Sequence, residues 1–493
     1  MKNNENTKNQ LITEKMKNFC KAILLTALFF STMLIATSQT YEPNWSSLDK
    51  RPAPEWFGDA KFGIFIHWGV YSVPAYRPVS TERYSSYAEW YQVDVMGKPG
   101  VGRDFHNRVY GKNFQYRQFG PLFKAELFNP DDWADLFQKA GAKYVVLTAK
   151  HHDGFCLWPT KNKYSKGWNS MEIGPKRDLL GDLTNSVRKK GLKMGLYYSL
   201  LEWETPTPTK EALPYLPKAI TAKYRIPKDA FVEGKIIAQL KELVTNYQPA
   251  LIFSDGAGEE NSQYWKSESF LSWLYNKAPN KDEVLVNDRW GKDCYMKHGD
   301  YYSGEYSGDD EKMGDDHPWE ESQGIGGSYG YNRAENIEDY KSSEQLVHLL
   351  ISKVSEGGNL LLNIGPSADG LIPVIMQQRL MDIGSWLKIN GEAIYSTKTW
   401  KNRPPDSKNQ TVFYTQKGND LYAICTRWPD SQLIIPGLKQ AGKLRLLGSN
   451  LAITAQLSGD NLIITTPAIN PGNMPCQYAW VFKIEDVGKQ LKK

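Results

Sequence analysis

Five short apolar runs end in polar residues, and this repeated pattern limits the folds that the chain can adopt. With their polar ends, the runs are KFGIFIHWG, KYVVLTAKHHDGF, KMGLYYSLLEW, ALIFSDG and EVLVNDRWG. Buried parallel strands are apolar throughout, because helices cover both faces of their sheet. In a barrel of alternating strands and helices, the carboxyl ends of all strands open onto one face. We therefore expect these polar residues to converge on one pocket.

Segments with helical periodicity separate the apolar runs. Asn129 and Pro130 suit the N-cap and first position of a helix, and apolar residues then recur at the spacing of one buried stripe. Strand and helix patterns alternate from about residue 60 to about 395, with a blurred stretch between 291 and 340. This alternation predicts an α/β fold with a parallel, (β/α)8-like barrel of the TIM type.

The pattern changes past residue 400. Short runs with a period near two are separated by Gly, Asn, Asp and Pro, which is typical of an antiparallel β-sandwich. A chain of 493 residues also exceeds the usual size of a single hydrophobic core. We therefore expect a catalytic barrel at residues 45–398 and a C-terminal β-sandwich domain at residues 399–488.

Residues 1–38 have the layout of an export signal. Lysines precede the apolar stretch AILLTALFFSTMLIA, and the small residues Ala36 and Ser38 follow at the spacing that a signal peptidase prefers. The apolar stretch is short for a membrane span, which favours cleavage over anchoring. We expect a periplasmic or secreted protein that is not inserted in the membrane after cleavage.

Charge and cysteine content narrow the classes of partner. The formal net charge is +5 for the whole chain and about +2 without residues 1–38, which argues against nucleic acid as a partner. The four cysteines after that segment match no zinc-binding spacing. A disulfide between Cys425 and Cys476 is permitted by export but is not required.

Three acidic residues are candidates for acid–base or nucleophilic chemistry. Asp255 ends the run ALIFS and precedes Gly256, which allows a sharp turn. A carboxylate held there can attack an anomeric carbon, although Asp at a strand end also serves simply to cap helices. Glycoside hydrolysis needs a second carboxyl group, and Glu305 and Glu320, both in loop-like sequence among aromatic residues, are the candidates.

Three of the seven histidines lie at strand ends: His67, His151 and His152. Neutral imidazoles exchange hydrogen bonds with sugar hydroxyls, but a purely structural role or metal binding also fits these residue types. Adjacent side chains at a strand end point in opposite directions, so His151 and His152 are not expected to chelate one ion. We expect no metal and no cofactor.

Arg289 and the pair Glu89 and Trp90 each have both a functional and a structural interpretation. Arg289 could keep the nucleophilic carboxylate ionised, or it could form a salt bridge at the barrel mouth. Glu89 and Trp90 combine a hydroxyl acceptor with a stacking ring, although an exposed amphipathic loop is the simpler interpretation.

Together these segments resemble the α-L-fucosidases of glycoside hydrolase family 29, of the broad-specificity type found in animals and bacteria. The matching motifs occur in the family's order from Trp56 to about Trp400. They are AKFGIFIHWGVYSVPAY, EWY, YVVLTAKHHDGFCLW, GLYYSLLEW, FSDG, VNDRWG and GGNLLLNIGPSADG. The resemblance implies a retaining exo-glycosidase that removes terminal α-L-fucose from oligosaccharides or glycoproteins through a covalent fucosyl-enzyme.

The resemblance also implies roles for individual residues. Asp255 matches the nucleophile and Glu305 the bacterial-type acid/base, with Glu320 as the alternative acid/base residue. The residues that match positions holding the sugar are His67, Glu89, Trp90, His151, His152, Tyr197 and Arg289. Phe253 departs from the pattern, because many relatives have Trp two residues before the nucleophile.

Three alternatives remain at this stage: a retaining glycosidase for another L-sugar or a sulfated fucose, a carbohydrate-binding protein without catalysis, and a metal-dependent hydrolase. The segment from Gln92 to Phe123 is expected to form a loop at the rim of the pocket. A homo-oligomer is neither indicated nor excluded.

Overall fold

Eight parallel strands form the central sheet of the computed structural model, which describes residues 40–82, 84–205, 207–208, 223–224, 226–307, 317–404, 410–438 and 442–487. The strands pair side by side in the order β5-β4-β3-β2-β1-β8-β7-β6. They are β1 Phe62–Ile66, β2 Tyr144–Lys150, β3 Lys193–Ser199, β4 Leu251–Asp255, β5 Leu285–Val286, β6 Tyr302–Glu305, β7 Trp319–Gly324 and β8 Asn359–Ile364. This barrel-like sheet confirms the predicted fold class. The predicted export signal lies outside the described residues.

Helices alternate with these strands, as the periodicity predicts. They are α1 Trp45–Leu48, α2 Glu55–Ala60, α3 Val101–Val109, α4 Pro130–Lys139, α5 Leu179–Lys189, α6 Lys228–Ala230, α7 Ala238–Tyr247, α8 Ser262–Trp265, α9 Ser267–Lys277, α10 Ser343–Ser355 and α11 Val374–Asn390. The side chain of Asn129 caps α4 by accepting a hydrogen bond from the Asp131 N–H, and Pro130 occupies the first turn. Within the described residues, no helix combines the length and apolar character needed to cross a membrane.

The segment expected to be a loop at residues 92–123 is instead largely helical. It contains a π-helical turn at Tyr91–Val95, the helix α3 and a 3-10 turn at Tyr116–Leu122. The Gly, Arg and Tyr content is typical of a loop, and the longest helical piece has only nine residues, which is too short to give a clear helical period in the sequence. Val93 and Asp94 nevertheless line the cavity described below, so part of the segment does form its rim.

Strands β6 and β7 lie between residues 291 and 340, where the alternation of strand and helix patterns is unclear. Their sequences explain why the strands are hard to recognise there. Their sequences, YSGE and WEESQG, are polar although most of their residues are buried. The expectation that Glu305 and Glu320 lie in loops was therefore wrong, since Glu305 ends β6 and Glu320 is the second residue of β7. Polar side chains can face the interior here because other buried polar groups pair with them.

The described strands β5 and β6 share no ladder, and individual hydrogen bonds close the barrel between them. The Asp300 N–H donates to the Val286 carbonyl at 3.0 Å. Asp288, just beyond β5, accepts hydrogen bonds from the Ser303 N–H at 3.1 Å and the Ser303 hydroxyl at 2.6 Å. Arg289 directly follows Asp288, and Glu305 lies two residues after Ser303. Both line the cavity described below.

The interior of the barrel is filled by apolar and aromatic side chains, so the barrel is not an open pore. Phe57 of α2 lies at the amino-terminal end of the strands with Tyr144 and Tyr301, and Phe65, Tyr197 and Phe253 form the upper part of the same cluster. Gly63 is required by this packing, because a Cβ there would lie 2.4 Å from the Tyr144 ring. The lower half is packed, and the cavity described below lies at the carboxyl ends of the strands.

The chain beyond the barrel forms two antiparallel sheets, as predicted. One has the order β13-β16-β11-β10-β9 and the other β12-β15-β14. Their strands are β9 Lys398–Thr399, β10 Val412–Lys417, β11 Asp420–Cys425, β12 Gln432–Pro436, β13 Leu444–Leu446, β14 Thr454–Ser458, β15 Asn461–Thr465 and β16 Trp480–Ile484. Side chains from both sheets share one core. The four described cysteines are free thiols, so the permitted disulfide between Cys425 and Cys476 is not formed.

Candidate active site

The carboxyl end of every barrel strand supplies a side chain to one region. These residues, from the first strand to the eighth, are His67, His151, Tyr197, Asp255, Arg289, Glu305, Ser322 and Asn363. Seven of them line a cavity of about 450 Å³, and Asn363 supports it from behind through His67. The expected convergence of strand ends is therefore observed, as parallel barrel topology requires.

Asp255 ends β4, and three side chains surround its carboxylate. Oδ2 accepts a hydrogen bond from the Tyr197 hydroxyl at 2.8 Å and lies 3.7 Å from His152 Nε2. Oδ1 lies 3.2 Å from Arg289 Nη1. Burial opposes ionisation, but Arg289 first, and then His152 and Tyr197, outweigh it and hold the pKa of Asp255 below its ordinary value. Gly256 turns the chain at φ +70°, which explains the glycine after the carboxylate.

Glu305 ends β6 and faces the same cavity. Its Oε2 lies 3.0 Å from Arg289 Nη1, and its Oε1 accepts a hydrogen bond from the Tyr87 hydroxyl at 2.8 Å. A single guanidinium nitrogen thus contacts both Asp255 and Glu305. Arg289 is itself fixed by donating from Nε to the Ser303 hydroxyl at 3.0 Å.

Glu320 lies elsewhere. It is fully buried near the amino-terminal end of the barrel, where it accepts a hydrogen bond from the Tyr144 hydroxyl. Tyr144 is the first residue of β2, whereas the cavity is at the opposite end of that strand. Burial raises the pKa of Glu320 to about 8, but this side chain does not line the cavity.

His67 is held as a neutral imidazole. Its Nδ1 lies 2.7 Å from Asn363 Oδ1, and the Asn363 amide donates to the Tyr329 carbonyl at 2.8 Å. The amide oxygen of Asn363 therefore accepts, so Nδ1 of His67 carries the proton and Nε2 is left as an acceptor. Burial lowers the pKa of His67 to about 3, which keeps the ring neutral.

His151 and His152 both line the cavity, and the expectation that they point in opposite directions was wrong. The chain leaves β2 at Lys150, after a register shift, so the alternation of a regular strand no longer applies to them. Their ring centroids are 4.2 Å apart. His152 Nδ1 contacts the Ser199 hydroxyl at 2.6 Å, while Nδ1 of His151 has no hydrogen-bond partner among the residues that the structure describes.

Glu89 and Trp90 follow one another in a short 3-10 turn at the cavity wall. Glu89 is buried, contrary to the simpler surface interpretation, and accepts from the Gly330 N–H at 2.8 Å. Burial raises the pKa of Glu89 to about 7. The half-buried Trp90 ring meets His152 edge-on with centroids 6.0 Å apart.

Phe253 lies below the carboxylates, with the Arg289 guanidinium 5.2 Å from its ring centroid. It forms an apolar wall with Phe65, whose ring centroid is 5.1 Å away. Sequence patterns missed several aromatic residues of the cavity, which are Phe65, Tyr84, Tyr87, Trp203 and Tyr329. A signal was available for Phe65, which lies in the run KFGIFIHWG two residues before His67, and for Trp203, which ends the run KMGLYYSLLEW.

The His, Asp and Glu side chains of the cavity are not arranged as a metal centre. Across the part of the chain that the structure describes, no group of three or more His, Cys, Asp or Glu side chains is arranged to hold an ion. In the cavity, His67 and His152 already engage Asn363 and Ser199 through one ring nitrogen each.

Paired carboxyl groups at the mouth of a TIM-type barrel, among histidines and aromatic rings, define a glycoside hydrolase. Comparison with known proteins identifies the family. The sequence profile "Alpha-L-fucosidase" matches residues 28–392, and "Alpha-L-fucosidase C-terminal domain" matches residues 405–485.

Full-length relatives agree with these matches. The chain is 43% identical to the human tissue α-L-fucosidase over 476 residues, which is 94% of this chain and 97% of the relative. It is similar in structure to the Thermotoga maritima α-fucosidase solved with fucose, with a TM-score of 0.74 and 38% identity over 90% of this chain and all of that one. The protein belongs to the α-L-fucosidase family of glycoside hydrolases.

Proposed function

We propose that the protein is a retaining exo-α-L-fucosidase in which Asp255 is the nucleophile and Glu305 the acid/base. The observation that carries this proposal is the shared contact of both carboxylates with Arg289 Nη1, at 3.2 and 3.0 Å. The two contacting oxygens are therefore no more than about 6 Å apart, which suits direct attack rather than the wider spacing of inverting enzymes.

In the first step, a carboxylate oxygen of Asp255 attacks the anomeric carbon of terminal α-L-fucose. The bond from that carbon to the glycosidic oxygen breaks, and Glu305 gives its proton to the departing oxygen. In the second step, Glu305 removes a proton from water, which attacks the same carbon and releases Asp255. Arg289 stabilises whichever carboxylate is ionised: Asp255 before attack and Glu305 after it has lost its proton.

The other cavity residues hold the sugar. Nε2 of His67 and Nδ1 of His151 are available to sugar hydroxyls, and Tyr197 orients Asp255. Glu89 and His152 add hydroxyl partners, and Trp90 adds a ring that stacks on the sugar. The apolar wall of Phe65 and Phe253 suits a 6-deoxy sugar, which presents a methyl group where galactose has a hydroxymethyl.

We infer that the substrates are fucosylated oligosaccharides or glycoproteins encountered outside the cytoplasm, in a periplasm or after secretion. The layout of residues 1–38 supports export. The related Thermotoga maritima enzyme has been solved with a mechanism-based inhibitor, which supports a covalent route in the family. No cofactor is needed for either step.

Replacement of each carboxyl group tests the assignment. Asp255→Gly should lower turnover of an aryl α-L-fucoside by about a thousandfold or more, and azide should restore part of it by taking the place of the carboxylate. Glu305→Ala should slow the hydrolysis of substrates with poor leaving groups more than the hydrolysis of aryl fucosides. Only the poor leaving groups need a proton on the departing oxygen. NMR of the wild-type reaction should show α-L-fucose as the first product.

Glu320→Gln is the matched control, since this carboxyl group is buried away from the cavity. It should keep both the turnover and the leaving-group dependence of the wild type. A β-configured first product, full activity of Asp255→Gly, or the leaving-group effect in Glu320→Gln in place of Glu305→Ala would contradict the proposal.

A further inference from the structure

A second concavity adjoins the cavity at the two carboxylates. This outer groove has a volume of about 560 Å³ and shares Tyr84, Asp255, Arg289 and Glu305 with the cavity. The cavity continues inward to His67, His151 and Tyr197, which are buried, whereas the groove opens outward along Lys292 and Tyr295, which are exposed. A substrate whose terminal sugar fills the cavity therefore places its next residue in or near this groove.

The groove contains both of the exposed aromatic side chains that the structure describes. Tyr84 and Tyr295 are each 45% exposed, whereas every other described Trp, Tyr and Phe is buried or partly buried. Aromatic rings are costly to leave in water, and a flat ring at a polar surface is suited to stacking on the C–H face of a pyranose. Two such rings at one groove indicate that the groove has a ligand.

Polar contacts hold Tyr84 and the loop that carries Tyr295 in place. Tyr84 adopts φ +66°, a conformation that is unfavourable for a tyrosine, and its hydroxyl donates to the Glu305 carbonyl at 3.2 Å. The loop that carries Tyr295 is fixed on both sides: the Met296 N–H donates to Asp288 Oδ2 at 2.9 Å, and the Lys292 N–H donates to the Glu260 carbonyl at 2.9 Å. These contacts position the Tyr84 ring and the backbone that carries Tyr295 before a ligand arrives.

The part of the cavity lining at and after the π-helical turn Tyr91–Val95 has a different character. There Asp94 forms an ion pair with Lys98. This part of the lining offers a largely buried carboxylate that is already paired with a lysine, and it has no exposed aromatic ring. The stacking surfaces therefore favour the outer groove as the path for the rest of the substrate.

We propose that Tyr84 and Tyr295 form a leaving-group subsite that binds the pyranose to which the fucose is attached. The inference rests on the proposed function and extends it, because it assigns the recognition of the second sugar to the outer groove. The enzyme then distinguishes fucosylated saccharides from simple fucosides by stacking, while the cavity recognises fucose alone.

The test compares two substrates that differ only in the leaving group. α-L-Fucosyl fluoride places a single atom beyond the anomeric carbon, whereas a disaccharide of α-L-fucose linked to galactose places a pyranose ring there. In Tyr295→Ala, the ratio of kcat/KM for the disaccharide to kcat/KM for the fluoride should fall about five- to tenfold, as expected for the loss of one stacking ring. Tyr295→Phe retains the ring and should keep the ratio within about twofold.

A binding measurement separates this inference from the catalytic assignment. Calorimetry compares the Asp255→Asn protein with the same protein carrying Tyr295→Ala as well. The second substitution should lower the affinity for the disaccharide about five- to tenfold and leave the affinity for free fucose unchanged. An unchanged kinetic ratio together with unchanged disaccharide affinity would overturn the subsite. Failure of the wild type to hydrolyse the fluoride would instead overturn the proposed function, and calorimetry would still decide on the groove.

Discussion

Arg289 links the two carboxyl groups of the site through one nitrogen atom. Its guanidinium lies 3.2 Å from Asp255 Oδ1 and 3.0 Å from Glu305 Oε2, and it is mostly shielded from water. Charge interactions are stronger in such a place than at the surface. A proton that leaves one carboxyl group therefore changes the environment of the other, and Arg289 sets the pH range in which Asp255 stays ionised.

Arg289→Gln should move the acidic limb of the pH profile of kcat/KM to higher pH. In the proposed mechanism Asp255 attacks as the carboxylate, and Arg289 is the largest influence that lowers the pKa of Asp255 against the effect of burial. Without the guanidinium that pKa rises, so activity is lost at a higher pH as the medium is acidified. The shift of this limb to higher pH is measured with an aryl fucoside.

Arg289→Lys is the matched control, because it keeps the charge while losing the planar fork. The acidic limb of the Arg289→Lys pH profile should lie closer to the wild-type limb than to the Arg289→Gln limb. An acidic limb that stays in place in Arg289→Gln, with only its height reduced, would show that Arg289 does not control the ionisation of Asp255.

Four of the residues that sequence patterns located share one property, which is that they follow apolar runs. His67, His151, Asp255 and Arg289 all stand immediately beyond such a run, so barrel topology alone predicts that they meet. Tyr87 could not be found in this way. It lies in a turn-rich segment and reaches Glu305 across 218 positions of sequence, a contact that only tertiary packing creates.

Among the secondary-structure elements, the strands in the polar part of the barrel are the ones that the sequence does not predict. The apolar strands were identified because their side chains obey the rule for buried parallel strands. Strands β6 and β7 break that rule: Ser303, Glu320 and Ser322 are buried and hydrogen-bonded to other side chains. A pattern based on hydrophobicity cannot detect strands whose interior contacts are polar.

A buried cluster of charges joins three elements behind the site. Glu202, in the loop after β3, contacts Lys150 at the end of β2 at 2.6 Å and Lys235 of the π-helical turn Phe231–Ile237 at 2.7 Å. Despite burial, the two lysines lower the pKa of Glu202 to about 2. Lys150 directly precedes His151, and the cluster therefore fixes the loops that carry the cavity residues.

Glu202→Gln should destabilise the protein by about 3–5 kcal/mol, because it leaves two buried ammonium groups without their counter-charge. Urea unfolding at neutral pH measures this loss. Glu485→Gln is the control, since Glu485 pairs with Arg445 at the surface and its loss should cost about 1 kcal/mol or less. Equal effects of the two substitutions would show that the buried cluster contributes no more than a surface pair.

For the whole molecule, several buried carboxyl groups make stability depend on pH. Burial raises the pKa of Glu320 to about 8, of Glu89 and Glu335 to about 7, and of Asp153 to about 6. The unfolded chain releases these protons near pH 4 to 4.5, so between that range and the raised values the folded state binds more protons and its stability falls as pH rises. His67 acts in the opposite sense, because its lowered pKa costs stability below about pH 6.5.

These opposing effects predict maximal thermal stability at mildly acidic pH. Glu320 contributes most to the loss above that range, since the folded state must either keep its proton or bury a charge between Tyr144 and Tyr301. Glu320→Gln should therefore raise Tm more at pH 8 than at pH 5, whereas Glu338→Gln, at an exposed residue, should change Tm little at either pH. Scanning calorimetry of both variants at the two pH values measures the difference. A Glu320→Gln effect of the same size at pH 5 and pH 8 would mean that this carboxyl group does not titrate between them, and the pH dependence of folding would then have to arise elsewhere.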